Sequence, residues 1–64
     1  MEQSDRNACK HAILMAENEI NMIKMEILGD SYISNEYLRD KMRALKLSIN
    51  IIDNIINKEE KSHE

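Results

Sequence analysis

The chain has 64 residues with one glycine and no proline, so almost nothing in it interrupts a helix. Its net charge of −3 excludes the overall basic composition of nucleic-acid-coating proteins, although a local basic patch is compatible with it. A single cysteine excludes an internal disulfide, and chains this small usually need a disulfide, a metal or a partner to support their core. Since the sequence shows no cluster of metal ligands, composition favours association with another chain.

The first predicted element is a helix over residues 5–28. Residues 1–4 are polar and are expected to be frayed. Ser4 or Asp5 can cap the start of this helix, because their side-chain oxygens accept hydrogen bonds from the unpaired N–H groups of a first turn. Gly29 follows the last periodic residue, where a C′ glycine belongs.

A turn over residues 29–34 leads to a second predicted helix over residues 35–57. Ser31 and Ser34 can both cap that helix, and an acid in its first turn suits the helix dipole. Residues 58–64 contain no apolar side chain and are expected to form a disordered tail.

Small and apolar side chains recur along both helices at spacings that alternate between four and three residues. This is the rhythm of a helix with one buried row. Paired outward from the turn, the two sets have residue numbers that always add up to 65, which predicts an all-α fold, an antiparallel two-helix hairpin. This predicted seam comprises Cys9, Ile13, Ala16, Ile20, Ile23 and Ile27, with Leu38, Met42, Leu45, Ile49, Ile52 and Ile56.

Charged residues beside the predicted seam favour the same register. Three facing pairs would attract and one would repel, each contributing only about 0.2–1 kcal/mol. The attractive pairs are Glu17–Lys46, Lys10–Asp53 and Glu26–Lys41, and the repulsive pair is Lys24–Arg39.

A second apolar stripe is predicted beside the seam, on one side of the hairpin. A lone hairpin would leave it in water, whereas two hairpins related by a two-fold axis would bury it in a four-helix bundle. A different protein partner, or packing within the hairpin alone, would also cover it. The candidate dimer or partner interface comprises Ala8, Ala12, Met15, Met22, Tyr37, Ala44, Ser48, Ile51 and Ile55.

No arrangement of nucleophile, base and acid appears in the sequence, so we expect no catalytic residue, no cofactor, no metal site and no enzymatic activity. His11 falls on the outward face of its helix, and Cys9 is read as a small buried hydrophobe. The glutamates of the first helix lack the Glu-x-x-His motif of helical di-metal sites.

A basic strip is the most distinctive polar feature. Its arginines could bind phosphate groups in forked geometry, although the same side chains could simply keep the surface soluble. No aromatic residue interleaves the strip, so base stacking is not indicated. The candidate anion- or RNA-binding residues are Lys24, Arg39, Arg43 and Lys46.

The predicted architecture over residues 5–57 resembles that of Rop-type plasmid copy-number proteins. In these, each chain has two helices, a short turn and a flexible tail, and two chains form a two-fold four-helix bundle. The resemblance is architectural and carries no site residue with it. It implies RNA binding as an alternative function.

These observations predict a small cytoplasmic, non-enzymatic regulator or inhibitor that binds a larger protein through a helical surface. The unpaired cysteine favours a reducing compartment. The N-terminus has no signal-peptide character, and the longest apolar run, residues 12–16, is too short to cross a membrane. Size and composition are typical of phage or mobile-element proteins. The alternative is a homodimeric bundle that binds RNA or an anionic nucleotide through its basic strip.

Overall fold

A computed structural model describes residues 1–29 and 34–62 of the chain, which form two packed α-helices. Helix α1 spans Gln3–Leu28 and helix α2 spans Asn35–Ser62. Ion pairs join the start of α1 to the end of α2, so the two helices are antiparallel. The predicted all-α hairpin is therefore confirmed. Neither helix offers a described segment long and apolar enough to cross a membrane.

Helix α1 begins earlier than the capping pattern predicts. Its N-cap residue is Glu2, which makes no side-chain capping hydrogen bond, and both Ser4 and Asp5 lie within the helix. At the other end the N–H of Gly29 donates to the carbonyl of Met25 at 2.9 Å. Gly29 has a φ of −80°, so it does not adopt the left-handed conformation for which a C′ glycine is needed.

Helix α2 begins as predicted and ends later. The Ser34 hydroxyl accepts a hydrogen bond from the backbone N–H of Tyr37 at 3.0 Å, so Ser34 is the cap of this helix. Residues 58–62, assigned from sequence to a disordered tail, are helical. Contacts of Lys58 and Glu59 with the start of the chain hold this last stretch against α1. Residues 30–33 and 63–64 of the predicted turn and tail lie outside the described residues.

Half of the predicted seam forms the interface between the helices. A second row of side chains completes it, and two small members of that row, Ala12 and Ser48, are each only 1% exposed. The Ser48 hydroxyl donates to the carbonyl of Ala44 at 3.4 Å, which satisfies it inside the interface. The interface comprises Cys9, Ala16, Ile23, Leu38, Leu45 and Ile52 from the predicted seam, and Ala12, Glu19, Glu26, Lys41, Ser48 and Ile55 from the second row.

The other half of the predicted seam is exposed, and this part of the prediction is wrong. The six side chains have between 41% and 56% of their surface in water: Ile13, Ile20, Ile27, Met42, Ile49 and Ile56. Compared with the predicted arrangement, each helix is rotated about its own axis. Ala12 therefore faces α2 and Ser48 faces α1, and the six larger side chains point into water. Small side chains at the contact allow a shorter distance between helix axes, which branched isoleucines would prevent.

The register also differs from the predicted one. Lys41 makes its ion pair with Glu19, at 3.6 Å, instead of with Glu26. Residue numbers in the three ion pairs between helix ends and across the interface add up to 60, 63 and 60, where the predicted seam requires 65. Within the described residues, the predicted Glu17–Lys46 and Lys10–Asp53 pairs are not formed.

Candidate functional site

The helix interface is flanked on one side by a row of exposed isoleucines, here called the isoleucine face. On each helix these residues follow the buried row by four positions. Both helices are right-handed and they run antiparallel. The same offset of four residues therefore brings the exposed residues of α1 and those of α2 to the same side of the hairpin. The isoleucine face comprises Ile13, Ile20 and Ile27 of α1 and Met42, Ile49 and Ile56 of α2.

A second apolar surface, here called the methionine face, lies on the opposite side of the hairpin. Met15 and Ile51 are 45% and 43% exposed, and two larger exposed residues border them, Met25 at 73% and Leu47 at 62%. The methionine face comprises Ala8, Met15 and Met22 of α1 and Tyr37, Ala44 and Ile51 of α2. Unbranched methionines adapt to differently shaped partners better than β-branched residues do.

The structure divides the predicted second stripe between this surface and the interior. Six of its nine members belong to the methionine face, whereas Ala12, Ser48 and Ile55 lie at the interface between α1 and α2. Ala12 and Ser48 are buried by the chain itself and cannot contact another protein. The sequence pattern could not separate these roles, because a stripe of small residues suits both a helix–helix contact and an outer surface.

Three of the four predicted anion-binding residues lie together in a shallow cleft along α2, here called the basic cleft. Arg39, Arg43 and Lys46 line it with three residues of mixed polarity, and its volume is about 390 Å³. Spacings of four and three residues put all three cations on one side of the helix. The remaining lining residues are Asn35, Leu38 and Met42.

Lys24 does not belong to this cleft. It lines a separate, largely apolar concavity of about 560 Å³ on α1, next to Met25, Leu28 and Gly29. The predicted grouping of all four cations is therefore not formed within one chain.

Charge in the basic cleft is only partly neutralised. Arg43 donates to Asp40 at 3.4 Å in an exposed pair whose side chains are 74% and 62% accessible, and such pairs contribute little to stability. Arg39 and Lys46 have no ion-pair partner among the described residues. In a single chain both are therefore available to an anion.

Ion pairs near the open end of the hairpin connect the two chain termini. The N-terminal amino group lies 2.7 Å from a Glu59 carboxylate oxygen, and the Lys58 ammonium lies 3.0 Å from Asp5. A hydrogen bond from Lys58 to the Asp5 carboxylate, together with its charge, raises the pKa of Lys58. No local sequence signal identifies these partners, because they lie at opposite ends of the chain.

Reactive side chains are not grouped in the described part of the chain. Cys9 is buried, with its Sγ 4.0 Å from the sulfur of Met1, whereas His11 is exposed. Within residues 1–29 and 34–62 no three histidine, cysteine or carboxylate side chains lie close enough together to hold a metal ion.

Comparison of the chain with protein-family models, with curated proteins and with solved structures gives no match.

Proposed function

We propose that this chain is a small regulatory or inhibitory protein that acts by binding a larger protein through a helical surface, without catalysing a reaction. We further propose that it works as a homodimer in the cytoplasm. The cytoplasm is proposed because the unpaired Cys9 suits a reducing compartment. One observation carries the proposal. Among the described residues, thirteen large apolar side chains are at least 41% exposed, while only Cys9, Ala12 and Ser48 are buried.

Such a distribution is unusual for a chain that works alone. Single exposed apolar residues need no explanation, but contiguous rows of them mark interaction surfaces. Here the rows run along both sides of a hairpin with a long axis of 50 Å. A surface of this shape is suited to a partner that lies along the helices.

The methionine face is the surface that we assign to the larger protein. Met25 and Leu47 border it on opposite helices and are the most exposed apolar residues on that side. The expected partner segment is an amphipathic helix, whose apolar stripe would lie between α1 and α2 with anchors at spacings of three and four residues. Met15 and Met22 would adjust to that stripe because their side chains are flexible.

The test is quantitative capture of host proteins by three immobilised versions of the chain. We expect wild type to retain one host protein in stoichiometric amount, and the Met25→Glu/Leu47→Glu double variant to lose at least about 90% of it, since two anchor residues contribute roughly 1 kcal/mol or more each. Ile27→Glu is the matched control, because Ile27 is 56% exposed and lies on the isoleucine face, on the opposite side of the hairpin. A host protein lost equally from the double variant and the control variant, or from neither, contradicts the assignment.

The basic cleft supports a second candidate function, binding of RNA or of an anionic nucleotide. Arg39 and Lys46 have no ion-pair partner within the described residues and share the cleft with Arg43. Arginine forks match phosphate oxygens well. Fluorescence anisotropy with a labelled RNA hairpin and with a labelled nucleoside triphosphate distinguishes the two ligands. We expect Arg39→Gln/Arg43→Gln to reduce the affinity at least about tenfold, and unchanged affinity would exclude this function.

A further inference from the structure

The isoleucine face has a pattern of neighbouring charges that the methionine face lacks. On each helix a charged residue precedes each exposed apolar residue by three positions and lies at the outer edge of the face. These edge residues are Lys10, Glu17 and Lys24 on α1, and Arg39, Lys46 and Asp53 on α2. All six are exposed, and within the described residues none of them has an ion-pair partner in its own chain.

The accessible surface of the chain indicates how much area a partner would have to cover. The chain exposes 5318 Å², whereas a compact monomer of 7.5 kDa exposes about 4,200 Å². The excess of about 1,100 Å² exceeds the area of about 800 Å² that each partner buries in a stable protein–protein interface. The surface that the hairpin exposes beyond that of a compact monomer is therefore of the size that one interface buries.

We propose that the isoleucine face packs against the isoleucine face of a second copy, with the two-fold axis parallel to the helices and both turns at the same end. This inference deepens the homodimer of the proposed function by naming its surface and its geometry. Helix α1 of one copy then lies opposite α2 of the other. β-Branched isoleucines suit a contact that is always the same, because they have few rotamers to lose.

The register of the hairpin fixes which layers meet. Residues of α1 and α2 lie at the same height when their numbers add up to between 60 and 63, as the ion pairs across the hairpin show. A two-fold axis parallel to the helices preserves these heights. Ile13 therefore meets Ile49 of the second copy, and Ile20 meets Met42, which gives four apolar contacts across the dimer.

Charge complementarity selects this axis. At the same heights Lys10 meets Asp53 of the second copy and Glu17 meets Lys46, so the dimer contains four attractive pairs at its edges. Lys24 and Arg39 meet near the turn as the one repulsive contact in each half, next to the basic cleft.

A two-fold axis perpendicular to the helices would keep the apolar layers but not the charges. It would place α1 against α1 and α2 against α2. Glu17 would then meet Glu17, Lys46 would meet Lys46 and Lys10 would meet Lys24. Arg39 would meet Asp53, which is the one attractive kind of contact in this arrangement. Such like-charge contacts oppose association, so the parallel axis is favoured.

Sedimentation equilibrium tests which face associates, with Ile49→Glu and Ile51→Glu as a matched pair. The two residues lie on the same helix, are 52% and 43% exposed, and belong to opposite faces. We expect wild type and Ile51→Glu to be dimers and Ile49→Glu to dimerise at least about 100-fold more weakly, because each copy loses a buried isoleucine and gains a buried charge. A dimer that Ile51→Glu disrupts and Ile49→Glu preserves would overturn the proposal.

Charge reversal tests the direction of the axis without touching the apolar layers. We expect Glu17→Lys and Lys46→Glu each to weaken the dimer about three- to tenfold, and the double variant to regain wild-type affinity. With the perpendicular axis, a single reversal merely exchanges one like-charge contact for another and leaves the affinity unchanged. Asn18→Lys, on the opposite side of α1, is the control for a lysine added away from the isoleucine face. Circular dichroism shows which variants remain helical.

The outcome is separable from that of the proposed function. A wild-type chain that stays monomeric up to about 200 μM would overturn the proposed dimer, because an interface of standard size associates at much lower concentrations. The capture experiment with Met25→Glu/Leu47→Glu tests the larger partner on the other face and keeps its meaning in either case.

Discussion

The ammonium group of Lys41 lies 3.6 Å from Oε2 of Glu19, and this ion pair crosses the interface between the two helices. Both side chains are less than one-quarter exposed. Lys41 also lies 5.4 Å from the centre of the Tyr37 ring, so its charge is shared between a carboxylate and an aromatic face. Oε2 of Glu19 is buried and accepts no hydrogen bond from the described residues. The pair therefore relies on charge attraction in a partly dry environment.

Removing only the cation should destabilise the hairpin. Lys41→Met leaves the Glu19 carboxylate buried without its partner, and we expect a loss of about 1–3 kcal/mol in the free energy of unfolding. The Glu19→Leu/Lys41→Met double variant should be at least as stable as wild type, because hydrophobic side chains replace both charges.

Urea denaturation at a fixed protein concentration measures these differences, since association adds to stability. Lys61→Met, at an exposed position near the end of α2, controls for the general effect of a Lys-to-Met change. A Lys41→Met variant no less stable than Lys61→Met would show that the ion pair does not support the interface.

The hairpin itself could be predicted from the sequence, but the rotation of its helices could not. Two helices, their antiparallel packing and the Ser34 cap follow from periodicity and local capping chemistry. Each helix, however, has one further row on either side of the shared row that contains Ala16 and Leu45. One consists of isoleucines with one methionine, and the other mixes small side chains with Glu19, Glu26 and Lys41. Hydrophobic period alone favours the isoleucine row. The small volume of Ala12 and Ser48 decides for the other row, at the expense of six larger side chains.

Long-range ion pairs explain the other differences. The sequence predicts a disordered tail at Lys58 and Glu59 because their neighbours in the chain are polar. Their ion-pair partners, however, lie at the start of the chain. The basic cleft was foreseeable for Arg39, Arg43 and Lys46, since they share one helix. The position of Lys24 relative to them depends on the register between the helices, which differs from the predicted one.

Enlarging Ala12 tests the rotation directly. Ala12 is 1% exposed, so we expect Ala12→Leu to lower the free energy of unfolding by about 1–3 kcal/mol through overpacking. Ala8 is exposed, and Ala8→Leu should change stability by less than about 0.5 kcal/mol. Both alanines belong to the same predicted stripe, so the comparison isolates the effect of facing the other helix. Thermal unfolding of the two variants measures it, and equal effects would contradict the interface described here.

Removing the cap of α2 should have a smaller and local effect. Ser34→Ala deletes the hydroxyl that accepts the Tyr37 N–H, and we expect a loss of about 1 kcal/mol. Ser4 makes no capping hydrogen bond, so Ser4→Ala should stay within about 0.5 kcal/mol of wild type. Urea denaturation compares the two, and hydrogen exchange should show faster exchange confined to the first turn of α2. A Ser34→Ala variant no less stable than Ser4→Ala would mean that the Ser34 hydroxyl does not act as a cap.

The Asp5–Lys58 ion pair should make stability depend on alkaline pH. Because Asp5 raises the pKa of Lys58 in the folded chain above the ordinary value of 10.5, folding favours the protonated lysine. The stabilising contribution is therefore complete below pH 10.5 and is lost as the pH rises through the higher value of the folded state. We expect the difference in unfolding midpoint between wild type and Lys58→Gln to be constant at neutral pH and to shrink above pH 10.5. Comparison of each variant with wild type at the same pH cancels the titration of other groups. A difference that stays constant up to pH 12 would show that Lys58 gains no proton affinity from Asp5.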